Sequence, residues 1–205
     1  MQPMVRPTLR LIRANDAILQ RREFDDLARI DQPRISTDRI ELHEIPQLLE
    51  FAAREVPAMS SAVDVVARVA EHNRDSVWVF RRRSVPVGVY AMLHLSKDGL
   101  EELLIGEMNM SVPDRRSMVP TGDAPAAIYK SAAVAPGLAS AGICAISRML
   151  QSPQYAHANL FARPTTMGGE RIMANLGFYK VRSGLSDLHR YVRFANRYER
   201  SVEAA

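Results

Sequence analysis

The sequence predicts an α/β (α+β) fold, and three observations carry the prediction. The stretch 126–178 reads strand, helix, strand, helix: residues 126–134 are apolar and partly β-branched, and Pro136-Gly137 stops them. Residues 141–150 then place Ile143, Ile146, Met149 and Leu150 on one helical face. Upstream, the runs 76–83 and 85–95 are dominated by β-branched and aromatic residues and flank the basic turn region RRRSVP, which is the pattern of a β-hairpin. The third observation is the small-residue turn that joins the strand 126–134 to its helix, because strand-turn-helix units build layered α/β domains.

The remaining elements follow in order. Residues 1–35 read as an N-terminal extension, with a short strand at 8–13. Asn15-Asp16 cap a helix that carries Ile18, Leu19, Phe24, Leu27 and Ile30. That apolar stripe needs cover, as an arm docked on the main domain, a lid over a ligand or the contact of a homodimer. Residues 40–45 alternate as a first strand, Pro46 opens a helix over 47–54, and Val56-Pro57 breaks it. A second helix over 60–72 carries Val63, Val65, Val66, Val69 and Ala70. In the hairpin, Trp78 reads as core and the triplet 81–83 as a charged end that discourages edge pairing. His94, between Leu93 and Leu95, reads as a structural residue rather than a base.

Residues 100–110 (LEELLIGEMNM) read as a further strand, followed by a loop over 112–125 with Pro113, Pro120 and Pro125. A loop of that length is functional or mobile. Glu107 is the acidic residue best placed for chemistry, because it sits inside the strand-like run; the alternative is an exposed edge residue. Residues 158–162 form a brief strand, 168–176 a helix, and Gly177 stops that helix where a left-handed residue is wanted. Residues 180–192 supply a last hairpin around Ser183-Gly184, and the charged tail 196–205 frays.

Composition bounds the function. With 205 residues and 47% apolar content the chain suits one domain with an appendage. No apolar run approaches bilayer length and the opening residues are charged, so the expectation is a soluble, cytoplasmic protein without membrane association. Cys144 is the only cysteine, which excludes an internal disulfide and a cysteine-based metal cluster. The five histidines never fall at ligand spacing with an acidic partner on one helix, so no metal site is expected. Net charge is +4, and lysine stands only at Lys97, Lys130 and Lys180, so that 24 of the 27 basic residues are arginine. They are dispersed along the chain. Weak, salt-sensitive contact with nucleic acid is the most such a pattern implies, and no specific nucleic-acid partner is expected. Walker loops, dinucleotide fingerprints and Gly-x-Ser-x-Gly elbows are lacking, which removes the usual support for nucleoside triphosphatase, dehydrogenase and hydrolase readings.

Chemistry concentrates at the turn into the helix 141–150. The first amides of a helix lack internal partners and carry the positive end of its dipole, so an anion docks there. Small residues at Ala139, Ser140, Ala141 and Gly142 leave those amides uncovered. Together, Val134-Ala135-Pro136, this turn, Gly142-Ile143-Cys144 and the later Asn175-Leu176-Gly177-Phe178 resemble the Gcn5-related N-acetyltransferase (GNAT) superfamily over residues 36–195. The family pattern Arg/Gln-x-x-Gly-x-Gly/Ala falls on residues 139–144, where its basic position is Ala139 and its last glycine is Cys144.

The resemblance implies a mixed central sheet with helices on both faces, and two short helices after the first strand as a wall of the acceptor site. It implies acetyl-CoA or another acyl-CoA as the acyl-donor substrate, held by Ala133, Val134, Leu138, Ala139, Ser140, Ala141 and Gly142. The position where many family members carry an acid tyrosine is Met173. Glu107 and Tyr129 are the catalytic candidates, with Ser131 and Tyr179 nearby in sequence. Three readings follow: an N-acyltransferase acting from acyl-CoA on an unidentified amine acceptor; an acyltransferase similar to acyl-homoserine-lactone synthases; and a non-catalytic module that binds acyl-CoA or nucleic acid.

Overall fold

The hairpin forms where the β-branched runs predict it. In the computed structural model, which describes residues 35–56, 62–134 and 139–193, strands β2 (Val77–Arg82) and β3 (Val85–Leu95) pair antiparallel. Arg83 and Ser84 make the turn, both at positive φ (51° and 66°). Two successive residues of that hand match the twist of the flanking strands. Strand β1 (Ile35–Arg39) pairs with β2, and β4 (Ala127–Val134) with β3, both antiparallel. Strand β5 (Asn159–Ala162) lies parallel to β4, and β7 (His189–Tyr191) and β6 (Tyr179–Lys180) complete a seven-stranded mixed sheet in the order β1-β2-β3-β4-β5-β7-β6.

Helices α1 (Ile45–Glu55), α2 (Val63–His72), α3 (Lys97–Ile105), α4 (Ala139–Met149) and α5 (Met167–Asn175) complete the described fold. The two-residue period of the strands sorts the core into two faces. Val77, Val79 and Val89 meet Ile45, Leu48 and Ala52 of α1 on one side. Phe80, Met92 and Ile128 meet Ile146 of α4 and Leu150, just past its end, on the other. Burying each such side chain contributes about 1.5–3 kcal/mol, so short helices such as these are held by packing more than by propensity.

Three expectations are corrected. The first strand is Ile35–Arg39, not 40–45. Glu41 and Glu44 satisfy one another's backbone in a capping box that starts a 3-10 turn at Leu42–Glu44, which runs directly into α1. The run 100–110 is not a strand: residues up to Ile105 belong to α3. The Ser96 hydroxyl accepts the Gly99 N–H at 3.1 Å, and Leu100, Leu103 and Leu104, at helical spacing, pack on the core. Gly106, at φ 85°, stops the helix in the left-handed region. The loop 112–125 is anchored: it contains a 3-10 turn at Arg115–Ser117, buries Ser117 and Met118, and bridges Leu95 to Met118. Residues 1–34 of the predicted extension, residues 194–195 and the whole predicted tail 196–205 lie outside the described residues. No helix among the described residues is long and apolar enough to cross a membrane.

Candidate functional site

Strands β4 and β5 run side by side only briefly. Ala127, Ile128, Tyr129 and Lys130 face Asn159, Leu160, Phe161 and Ala162, where β5 ends, while β4 continues to Val134. On the β5 side, residues 131–134 therefore have no partner among the described strands. The register against β3 slips at the same place: Ala91 faces Ala132 and Met92 faces Lys130, which leaves Ser131 as the extra residue of a bulge. A bulge bends its strand and increases the local twist. The result is a short open edge whose N–H and C=O groups suit an extended ligand that carries amides of its own.

A cavity of about 130 Å³ reaches this bulge. Leu48 and Ala52 of α1 and Val65 and Val69 of α2 form one wall, and Ala91 and Leu93 of β3 form the floor. Met110, Ser111 and Pro113 contribute from the α3–β4 connection, and Ser131 and Ala132 from β4. Among the described residues, no Asp, Glu, His, Lys or Arg lines it. A second cavity of about 350 Å³ shares Val65, Val69 and Pro113 with the first and is bordered by Arg68, Asp114 and Arg115. His72 ties this region together: its Nδ1 accepts from Arg115 Nε at 3.3 Å, and its Nε2 donates to the Met118 carbonyl at 3.3 Å. Those two partners fit a neutral ring with the proton on Nε2.

The expected site residues separate into groups. Ala133 is exposed and Val134 buried, both on the parted section of β4. Leu138 lies outside the described residues, as do the side chains of Ala139 and Ser140, which open α4. Ala141 is half-buried and Gly142 buried. A Cβ on Gly142 would stand 2.4 Å from the Phe80 ring, so this glycine is needed for close packing of α4 on β2. Cys144 is half-buried and its thiol is pushed up by burial, the setting of an inert cysteine.

Glu107 is exposed in the turn that follows α3, its N–H bonded to the Glu102 carbonyl at 2.9 Å. It lines neither cavity, so the strand setting that recommended it as a base is absent. Tyr129 packs in the core with Leu95, Met108 and Phe161, lines neither cavity, and has its phenol pushed above the usual range by burial. Met173 is a buried residue of α5, and Tyr179 is exposed on edge strand β6. Sequence reasoning missed the chamber itself. The signal available was the wide apolar face of both helices after β1, together with the apolar start of the loop 110–113.

A mixed sheet that parts between two parallel central strands, with helices on both faces, has the GNAT fold. No protein-family model matches the chain and no curated protein matches it. Among solved structures, the chain is similar to the loading GNATL domain of CurA from Lyngbya majuscula, with 10% identity and a TM-score of 0.58 over 78% of this chain and 98% of that one. It also overlaps a GphF GNAT-like decarboxylase in complex with isobutyryl-CoA (16% identity, TM-score 0.46, 69% and 71% of the two chains). Arabidopsis thaliana Naa50 in complex with a bisubstrate analogue overlaps at 13% identity and a TM-score of 0.45, over 76% and 95%.

Proposed function

We propose that the chain is an acyltransferase that moves an acyl group from acyl-CoA to an amine, releasing an amide and free coenzyme A. The observation that carries this reading is the open edge of β4 at residues 131–134, met at Ser131 and Ala132 by a chamber large enough for the reacting end of the donor. The amides of the donor's pantetheine arm would pair along that edge as an added strand. Its pyrophosphate would rest on the uncovered amides at the start of α4. Ala139 offers no guanidinium there, so donor affinity is expected to be modest.

Backbone N–H groups near Val134 would polarise the thioester carbonyl, where negative charge develops as the amine attacks. The new C–N bond forms, the C–S bond breaks, the amine gives up a proton and the departing thiolate takes one. Since no acidic or histidine side chain among the described residues lines the chamber, water is assigned both proton transfers, and turnover is expected to be slow. The test is thiol release from several acyl-CoAs against a panel of amines, alongside calorimetry of donor binding. Thiol release that depends on both substrates supports the reading. Donor binding without turnover on any amine moves it to a non-catalytic acyl-CoA-binding module, and absence of binding to every acyl-CoA removes it.

A further inference from the structure

The described lining of the chamber is almost wholly apolar, and that character bears on what fills it. Among the described residues, aliphatic side chains, two methionines and one proline line it together with three serines: Ser76, Ser111 and Ser131. Ser76 is buried and its hydroxyl lies 3.4 Å from His94 Nδ1, so it is already engaged. Ser111 and Ser131 belong to exposed residues, and Ser131 sits on the bulge of β4. The rest of the described lining is apolar, with Ile45 and Met92 at 0% exposure and Ala52 at 2%, while Leu49, Val66, Ala91, Met110, Pro113 and Ala132 are half-buried. An ammonium taken into such a wall would lose its hydration without a partner, at a cost of several kcal/mol. An alkyl chain needs no partner and gains from burial.

We infer that this chamber holds the tail of the donor's acyl group, and that the donor carries an apolar acyl chain of about six carbons rather than acetyl. The inference rests on the acyl-CoA reading above. An engineered apolar cavity of about 150 Å³ holds one benzene, six carbon atoms, and the present volume of about 130 Å³ is of that order. The thioester then lies at the Ser131 rim and the chain runs inward between α1, α2 and β3.

The experiment is calorimetric titration of the full chain with free CoA and with acetyl-, butyryl-, hexanoyl- and decanoyl-CoA. Each buried methylene is worth about fourfold in Kd. Affinity should therefore rise to the order of a hundredfold between acetyl- and hexanoyl-CoA and level off beyond. Equal or tighter binding of acetyl-CoA overturns the inference while leaving the acyl-CoA reading intact, whereas no binding of any of the five ligands overturns that reading itself. Ala91→Phe fills the chamber from β3 with a residue that suits a strand, and in the folded variant the preference for hexanoyl- over acetyl-CoA should collapse to within threefold. Retention of the full preference in a folded Ala91→Phe protein places the chain elsewhere and overturns the inference. If that variant does not fold, the wild-type series decides alone. Competition by hexylamine against hexanoyl-CoA, with no gain from chain length, assigns the chamber to an apolar acceptor and likewise overturns it.

Discussion

His94 sits beside a set of polar contacts between distant segments that no local pattern announces. Its flanking leucines make burial legible in the sequence, but Asp75 and Tyr155 come from distant elements. Tyr155 donates to Asp75 Oδ2 at 2.5 Å, Arg39 Nε donates to Asp75 Oδ1 at 2.7 Å, and the His94 ring lies tilted against Tyr155 with centroids 5.2 Å apart. His94 is fully buried, with Nε2 lacking a partner among the described residues. Burial pulls its pKa down to about 4, against a smaller opposing pull from Asp75. The folded state thus binds its proton more weakly than the unfolded chain, whose histidine titrates near 6.5. Stability is fully present above that pH and is lost as pH falls toward 4, by roughly 3 kcal/mol at most. Urea titrations at pH 7 and pH 4 should show this loss, and His94→Gln should flatten it; an unchanged acid limb would mean that other groups carry it. At Gly142 the sequence signals a phosphate turn, whereas the structure shows close packing against Phe80. Gly142→Ala is expected to lower unfolding free energy by about 1–3 kcal/mol through overpacking, read by thermal melts, with Phe80→Leu relieving part of the cost.

At the scale of elements, the hairpin and the strand-helix-strand-helix run were legible because period and punctuation agree there. Residues 100–110 were misread because an apolar run with interleaved Glu fits both periods. What decides it is local: Ser96 as cap, Gly106 as stop, and Gly99, whose Cα lies so close to the Ser117 carbonyl that a Cβ would stand 2.0 Å from the oxygen. None of these contacts is visible to a periodicity count. The consequence is functional, since Glu107 leaves the sheet and becomes an exposed turn residue. Glu107→Gln should therefore change kcat of acyl transfer by less than twofold, where a positioned base would cost about 10²–10⁴-fold. A loss in that range would show that the turn moves over the chamber when acyl-CoA is bound.

In the molecule as a whole, the proposed donor site depends on where the sheet parts, after Lys130 of β4. The order of strands could be anticipated only through the family resemblance, because the pairing of β4 with β5 and of β5 with β7 joins distant segments. The bulge at Ser131 and the early end of β5 were not legible, since both are relations between strands rather than properties of one. The chamber was hidden for the same reason: it is assembled from α1, α2, β3, β4 and the connection that follows α3. The most direct measurement is backbone amide hydrogen exchange with and without saturating acyl-CoA. The open edge predicts new protection in the segment 131–134, where the β5 side gains a partner, and little change at 127–130, which is already paired on both sides. Donor binding that leaves 131–134 unprotected, while protecting another part of the sheet, would contradict the assignment of this edge as the donor site.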